Sequence, residues 1–264
     1  MTSGNLLLVD THAHLCDPVF DPDRAEVLAR AQKAGVAAVL AVGETLADAR
    51  RNQELAAIHP MVFPAAGLYP TQLSLEQAAE MQDFIRRHRQ RLAAIGEVGL
   101  DHWAVQEEPA WELQREIFSG FIALALELDL PLNVHSRSAG RHTVALLLER
   151  GAARVQLHAF DGRTAAALTA VEAGYFFSIP PSIVRSEQKR KLVKRLPLSC
   201  LLVETDSPVL GPDPHGRNEP ANANLSVRAI AEIKEIPEEQ VIAAVADNTR
   251  RLYGEGAFSS RTRE

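Results

Sequence analysis

Residues 6–14 read LLLVDTHAH, an apolar run that ends in two histidines, His12 and His14, separated by one alanine. Side chains two residues apart on a β-strand point to the same face, so the stretch predicts a first strand, Leu6–Asp10, followed by two imidazoles side by side. Histidine is the commonest side-chain ligand of divalent transition-metal ions. The pair is either half of a metal site or two polar surface residues, depending on what the rest of the chain supplies.

The same kind of apolar run recurs along the chain. Short segments rich in Val, Ile, Leu and Ala alternate with longer segments of helical period. The predicted strands are Leu6–Asp10, Ala37–Val42, Val62–Ala66, Leu92–Glu97, Leu132–His135, Val155–His158, Tyr175–Ile179 and Leu201–Glu204. The predicted helices are Asp23–Ala34, Ala47–Ile58, Leu75–Arg89, Ala110–Leu128, Arg141–Glu149, Thr164–Ala173, Glu187–Leu196, Asn222–Glu235 and Pro237–Tyr253.

This alternation predicts an α/β fold, a (β/α)8 TIM barrel with an all-parallel sheet, because strand–helix–strand crossovers place consecutive strands in parallel. An open doubly wound sheet is the alternative. It is disfavoured because no glycine-rich phosphate loop follows the first strand. Neither a composition break nor a low-complexity linker divides the chain, so we expect a single domain over residues 1–264 with its core at about 6–254.

Composition narrows the class of protein. The chain has 264 residues, 46% of them hydrophobic, which is enough for one large core, and its net charge of -6 does not favour a surface that attracts nucleic acid as a whole. The two cysteines and the absence of an apolar leader predict an intracellular protein of the cytoplasm or nucleus. We also expect no membrane-spanning segment, and the sequence indicates no obligate protein partner.

Candidate ligands follow several of the other predicted strands. Glu97, His135 and His158 end the fourth, fifth and sixth strands, and Asp206 follows the eighth. The carboxyl ends of barrel strands converge on one mouth, where these folds place their chemistry. A single histidine at a strand end is more often a core residue, Glu97 alone could be a buried structural acid, and an Asp before Ser-Pro is a common turn residue. The combined pattern favours a shared metal site.

Four blocks resemble the signature blocks of the TatD-type metal-dependent deoxyribonucleases, in the metallo-dependent hydrolase superfamily. They are VDTHAH (9–14), GEVGLD (96–101), VHSR (134–137) and ETDSP (204–208), with RNEP (217–220) and DNT (247–249) in agreement. The resemblance spans nearly the whole chain. The segments Tyr175–Pro181 and Gln188–Leu196 are most similar to the TatD domain-containing protein 3 branch.

The resemblance implies two divalent metal ions in the barrel mouth. It places His12, His14 and Asp206 on one ion, His135 and His158 on the other, and Glu97 between them. The donor chemistry suits this arrangement, because one carboxylate can bridge two cations. Four imidazoles favour Zn or Mn, whereas the carboxylates also tolerate Mg.

The resemblance also implies that the substrate is DNA and that nucleotides are removed from a 3′ end. We assign Asp206 the role of general base, with Glu97 as the other catalytic residue. Arg137, Asp101, His102 and Tyr69 are candidate substrate-binding residues, Arg137 because its guanidinium can grip phosphate oxygens.

Some residues depart from the family pattern. Tyr69 replaces a typical His, Ala159 and Asp161 replace a Cys and a small hydroxyl residue, and Ser138 replaces an Asp. They put substrate orientation in question without removing a proposed metal ligand.

One further feature is a basic stretch, residues 185–195, which predicts a barrel-packing helix with a solvated positive face or, alternatively, a track for nucleic acid.

Two other functions stay open on the sequence alone. A small-molecule metallohydrolase acting on a lactone, amide or phosphoester could use the same ligands, because related barrels reuse one ligand plan on different bonds. A non-catalytic scaffold that holds metal for stability is the third possibility. Retention of all the proposed ligands, together with Asp206, disfavours it.

Overall fold

A single eight-stranded parallel sheet, in the sequential order β1 to β8, forms the centre of the molecule. The structure is a computed structural model and describes residues 8–258. The strands are β1 (Leu8–Ala13), β2 (Val36–Ala41), β3 (Val62–Ala66), β4 (Ala94–Gly99), β5 (Leu132–His135), β6 (Val155–His158), β7 (Phe176–Ile179) and β8 (Leu201–Val203). Sequential order with parallel pairing confirms the predicted (β/α)8 TIM barrel.

Helices connect successive strands and cover the outside of the barrel. They are α1 (Arg24–Lys33), α2 (Leu46–Ile58), α3 (Leu75–His88), α4 (Glu108–Leu128), α5 (Gly140–Glu149), α6 (Thr164–Glu172), α7 (Glu187–Arg195), α8 (Ala223–Lys234) and α9 (Glu238–Tyr253). Their apolar faces pack on the strands in a large buried cluster that includes Phe118, Phe121 and Ile122 of α4. Within residues 8–258, no helix is both long and apolar enough to cross a membrane.

The first and fourth strands run further toward the mouth than their apolar runs predict. β1 continues through His12 to Ala13, which pairs with Ala41 of β2, and β4 continues two residues past Glu97. Polar residues end an apolar pattern, but the backbone can go on pairing because neighbouring strands supply partners. His12 and Glu97 therefore project from paired strands. The predicted start of the first strand, residues 6 and 7, lies outside the described residues.

The barrel closes between β1 and β8. The Asp206 N–H donates to the carbonyl oxygen of His12 (2.8 Å), and the His14 N–H donates to that of Ser207 (2.8 Å). Deeper in the barrel, the Thr11 hydroxyl donates to the carbonyl oxygen of Val203 (2.9 Å). The closure thus fixes Asp206 beside the histidine pair, although β1 and the segment after β8 lie far apart in the sequence.

Candidate metal centre

The six predicted metal-ligating residues meet at the mouth of the barrel. Five of them are buried and His14 is partly exposed. All but His12 line a cavity of about 390 Å³, and the ring of His12 stacks on that of His158 with centroids 3.9 Å apart. Since neighbouring strands carry the ligands to one level, the barrel brings together residues that are far apart in the sequence.

Glu97 divides the four imidazoles into two pairs. Its Oε1 lies 2.6 Å from His135 Nδ1 and 2.8 Å from His158 Nε2. Its Oε2 lies 3.6 Å from His12 Nε2 and 3.3 Å from His14 Nε2. One carboxylate therefore faces a pair of histidines with each of its oxygens.

Asp206 completes the pair formed by His12 and His14. Its Oδ1 is 3.3 Å from His12 Nε2 and 3.4 Å from His14 Nε2, and these two nitrogens are 3.3 Å apart. Its backbone has a φ of +54°, in the left-handed region that non-glycine residues seldom adopt. Such strain persists where the surrounding structure holds it, as the barrel closure does here.

Two residues outside the cluster, Asn133 and Asp101, orient its imidazoles. Asn133 Nδ2 donates to the carbonyl oxygen of Thr11 (2.9 Å), so the Asn133 Oδ1 must accept from the Nδ1–H of His12 (2.8 Å). That leaves the Nε2 lone pair of His12 facing the centre. Asp101 Oδ2 likewise accepts from the Nε2–H of His135 (2.9 Å), which leaves Nδ1 facing Glu97.

Glu204 lies beneath the centre. Its Oε1 accepts from the Ala159 N–H (2.8 Å), and its Oε2 accepts from the Ser178 hydroxyl (2.5 Å) and lies 3.8 Å from His158 Nδ1. Burial raises the pKa of this carboxyl. Both oxygens have hydrogen-bond donors and Glu204 is not among the residues that line the cavity, although a carboxylate oxygen of Glu204 and ligand atoms of His12 and His158 lie within 4.8 Å of one another.

The imidazoles and carboxylates of the centre shift one another's pKa values. Burial by itself would lower the pKa of His135, but hydrogen bonds to Asp101 and Glu97 outweigh it and raise the pKa to about 9. The pKa of His14 is raised well above its usual value by Asp206 and Glu97 against the same effect of burial. Burial would raise the pKa of the Glu97 carboxyl, yet the surrounding imidazoles hold it well below its usual range. The carboxylates of the centre therefore stabilise positive charge between them, whether it is carried by imidazolium groups or by metal ions.

The donor set fits metal ions better than it fits protons. Although it is buried among imidazoles, Glu97 Oε2 accepts no hydrogen bond from residues 8–258. Ligand atoms of His12, His14 and Glu97 lie within 4.8 Å of one another, as do those of Glu97, His135 and His158. Imidazole nitrogens and carboxylate oxygens at this separation are suited to borderline divalent ions.

The candidate substrate-binding residues take different positions. Tyr69 and Arg137 line the cavity, and the Tyr69 hydroxyl donates to Asp101 Oδ2 (3.3 Å). The guanidinium of Arg137 lies over the ring of Trp103, 3.5 Å from its centroid. His102 is instead half-buried and stacks on Trp111, with ring centroids 4.1 Å apart. The structure brings three of the four candidates to the centre and leaves His102 outside it.

Sequence reasoning missed three contributors to the site. Asn133 lies inside the run LNVH, where its amide reads as an ordinary strand residue. Glu44 follows β2 and lines the cavity, as does Lys189 of α7, which is buried. The alternation of strand faces could have singled out Asn133, since it shares a face with His135. Helical period could have singled out Lys189, since the apolar residues Leu192 and Val193 follow it by three and four residues.

Imidazoles and carboxylates line an open cavity at the carboxyl ends of the barrel strands. This combination of fold and centre defines the class of protein as a metal-dependent hydrolase of the barrel type. Residues 9–254 match the family model described as TatD related DNase. The chain belongs to this family, which confirms the predicted resemblance.

Relatives of this chain align with it over nearly their full lengths. Deoxyribonuclease TATDN3 of Homo sapiens is 45% identical over 266 aligned positions, covering 96% of this chain and 97% of the human protein. The metal-dependent hydrolase YabD of Bacillus subtilis is 32% identical and is covered over 99% of its length by 94% of this chain. The crystal structure of YjjV, a TatD homologue from Escherichia coli, superposes with a TM-score of 0.87 at 28% identity, covering 95% of this chain and 99% of that one.

Proposed function

We propose that this protein hydrolyses phosphodiester bonds in DNA with two divalent metal ions and removes nucleotides from a 3′ end. The observation that carries the proposal is the position of Glu97, whose two oxygens each face one pair of imidazoles. The word deoxyribonuclease in the name of the human relative supports DNA as the substrate. The 3′ direction is supported by the resemblance of the sequence blocks.

The six ligating residues would hold the ions in two groups. His12, His14 and Asp206 would bind one ion, His135 and His158 the other, and Glu97 both. Bound there, divalent ions supply Lewis-acid polarisation of the phosphate and lower the pKa of a water toward neutrality. With four imidazoles in the set, Zn or Mn suits the centre better than Mg.

Asp206 acts as the general base in this proposal. Its Oδ1 faces the Nε2 atoms of His12 and His14, so its Oδ2 is the oxygen that accepts the proton of the attacking water. Although burial would raise the pKa of this carboxyl, the neighbouring imidazoles of His12 and His14 lower it below its usual range, which keeps it ionised and able to accept.

Other residues of the cavity orient the substrate. Arg137 would bind a phosphate oxygen while its stacking on Trp103 holds the guanidinium in place. Tyr69 would contact the substrate with its ring, since its hydroxyl is engaged by Asp101. A cavity of about 390 Å³ is in the size range of small-ligand sites, which favours entry of a terminal nucleotide over a continuous duplex. We place this activity inside the cell, in the cytoplasm or nucleus, where the thiols of Cys16 and Cys200 stay reduced.

The test is cleavage of single-stranded and duplex DNA, labelled at the 3′ or the 5′ end, by protein supplied with Zn, Mn or Mg. We expect stepwise shortening from the 3′ end and a loss of at least 100-fold in rate for Asp206→Asn, because general-base catalysis contributes about 100- to 10,000-fold. Asp83→Asn is the matched control, since Asp83 is an exposed residue of α3 whose side chain is 70% accessible.

Three outcomes would contradict the proposal. Equal cleavage by the wild type and Asp206→Asn would assign the activity to another residue or a contaminant. Shortening from the 5′ end would overturn the direction. Failure to cleave DNA with any of the metals, combined with hydrolysis of small esters or lactones, would make the protein a small-molecule hydrolase.

A further inference from the structure

Lys189 is a buried lysine that lines the cavity of the metal centre. It lies on α7, is 9% exposed, and donates through Nζ to the carbonyl oxygen of Ala159 (3.0 Å). An ammonium group has three N–H donors, and within residues 8–258 this is the hydrogen bond that Nζ makes. No carboxylate oxygen of these residues lies within 4.0 Å of it. The cavity therefore contains a cation with donors to spare and no direct counter-ion.

The other basic residues of the same stretch are different. Arg190 pairs with Glu232 across the surface (2.8 Å), and Lys191, Lys194 and Arg195 are exposed to solvent. A buried ammonium without a counter-ion loses hydration and is costly, so lysines seldom occupy such positions without a compensating charge. Lys189 alone in this stretch is therefore placed where an anion would stabilise it.

The backbone around Ala159 holds Lys189 in position. Ala159 has a φ of +42°, and it is held from both sides, by Glu204 Oε1 at its N–H (2.8 Å) and by Lys189 at its carbonyl oxygen. It directly follows His158 on the chain. The ammonium is thus tied to the loop that continues from a ligating residue, yet it makes no hydrogen bond or ion pair within 4.0 Å to any of the six ligating residues.

We propose that Lys189 forms the subsite for a non-reacting phosphate of the substrate, the one adjacent to the phosphate that is cleaved. This inference rests on the proposed function and extends it. The cluster around Glu97 would receive the reacting phosphate, and Arg137, on the loop after β5, is a second cation lining the same cavity. Ammonium groups bind phosphate oxygens as charge-assisted donors, and Val209 and Leu210 beside the cavity offer apolar surface to the nucleoside between the two phosphates.

Burial lowers the pKa of Lys189, whereas Glu204, Asp161 and Asp206 act on it in the opposite sense from a distance. A phosphate dianion or monoanion at Nζ would add a much closer negative charge. Binding of phosphate there is accordingly expected to stabilise the protonated amine.

The test compares two ligands that differ by one phosphate, thymidine 3′,5′-bisphosphate and thymidine 3′-monophosphate, of which the second lacks the 5′ phosphate that Lys189 would bind. Their dissociation constants are measured by calorimetry on the full-length, metal-loaded protein. We expect the wild type to bind the bisphosphate about 10-fold or more tightly than the monophosphate, as a charge-assisted hydrogen bond to a buried group provides. Lys189→Met should abolish this ratio. Lys191→Met, an exposed lysine on the same helix, should keep it.

Lys189→Gln separates charge from structure, because its amide can still donate to the Ala159 carbonyl oxygen while carrying no charge. Like Lys189→Met, it should bind the bisphosphate no more tightly than the monophosphate. Thermal unfolding identifies a variant that fails to fold. A wild-type protein without the preference, or either uncharged variant with the preference intact, overturns the subsite. Since the measurement needs no DNA cleavage, a Lys189-dependent preference in a protein that cleaves no DNA would overturn the proposed function and leave the anion subsite standing.

Discussion

A single amide decides which nitrogen of His12 faces the metal centre. Asn133 donates to Thr11 and accepts from His12 Nδ1, so the imidazole is held in one tautomer and one orientation. Partners of this kind tune a metal site almost as strongly as the ligands themselves. The orientation of the candidate metal-ligating side chains therefore depends on the residues behind them as well as on the side chains themselves.

Asn133→Leu removes the acceptor and keeps the side chain close in size. We expect the affinity for the metal ions to fall about 10- to 100-fold, because the His12 ring is no longer held with Nε2 toward Glu97. Competition with a chromophoric chelator measures this affinity.

The control is Asn52→Leu, another buried asparagine, whose Nδ2 donates to the carbonyl oxygen of Val42 (2.9 Å) away from the cluster. It should lower the free energy of unfolding and leave metal affinity within about 2-fold. If Asn133→Leu binds metal as tightly as the wild type, His12 is oriented by something else.

Among the elements, the ends of the helices show where the backbone is strained. α8 ends at Glu235, an exposed residue with a φ of +55°, whose N–H donates back to Ala231 and Glu232. Glycine is the residue that adopts this left-handed position without a steric penalty. α8 is therefore closed by a residue that is not the most stable choice there.

Glu235→Gly should raise the free energy of unfolding by about 0.5–1 kcal/mol. The left-handed conformation costs a non-glycine residue about 1–2 kcal/mol, from which the greater flexibility of glycine in the unfolded chain subtracts part. Urea denaturation measures the change.

Arg150→Gly at the end of α5 is the matched control, because Arg150 has a φ of -89° and there is no strain to relieve. It should lower stability by about 0.5–1 kcal/mol. A loss of stability in both variants would show that the Glu235 backbone is not strained in solution.

Taken as a whole, the molecule has a polar chain of hydrogen bonds through the barrel. Tyr253 of α9 donates to Gln156 Oε1 (2.6 Å), Gln156 donates to the Ser178 hydroxyl (2.8 Å), and Ser178 donates to Glu204 beneath the metal centre. All four residues are buried. The last helix is thus connected to the floor of the site through the interior.

Tyr253→Phe should lower the free energy of unfolding by about 1–3 kcal/mol, because Gln156 Oε1 is left buried without a donor. Urea denaturation of the wild type and the variant measures it. Tyr175→Phe is the comparison, since the Tyr175 hydroxyl donates to the carbonyl oxygen of Ala152 (3.0 Å) and does not belong to this chain.

We expect only about 1 kcal/mol from Tyr175→Phe. An equal cost for the two substitutions would mean that the interior chain adds nothing beyond one ordinary hydrogen bond.

The sequence by itself determined the barrel and singled out the residues that cluster at its mouth. Apolar runs of strand length encode burial locally, and the residue types that follow them, such as His135 and Asp206, are visible without any knowledge of distance. Strand ends were less well predicted, because pairing of β1 and β4 continues past their apolar residues with support from neighbouring strands.

Only the tertiary structure decided what lies behind and beside those ligands. Asn133 reaches His12 across 121 residues, Lys189 becomes buried because α7 packs over the loop after β6, and His102 turns away to stack on Trp111. Periodicity reports which face of an element is buried, whereas a contact across the mouth depends on how the barrel closes and how its loops pack. That is a property of the folded chain as a whole, and no local pattern contains it.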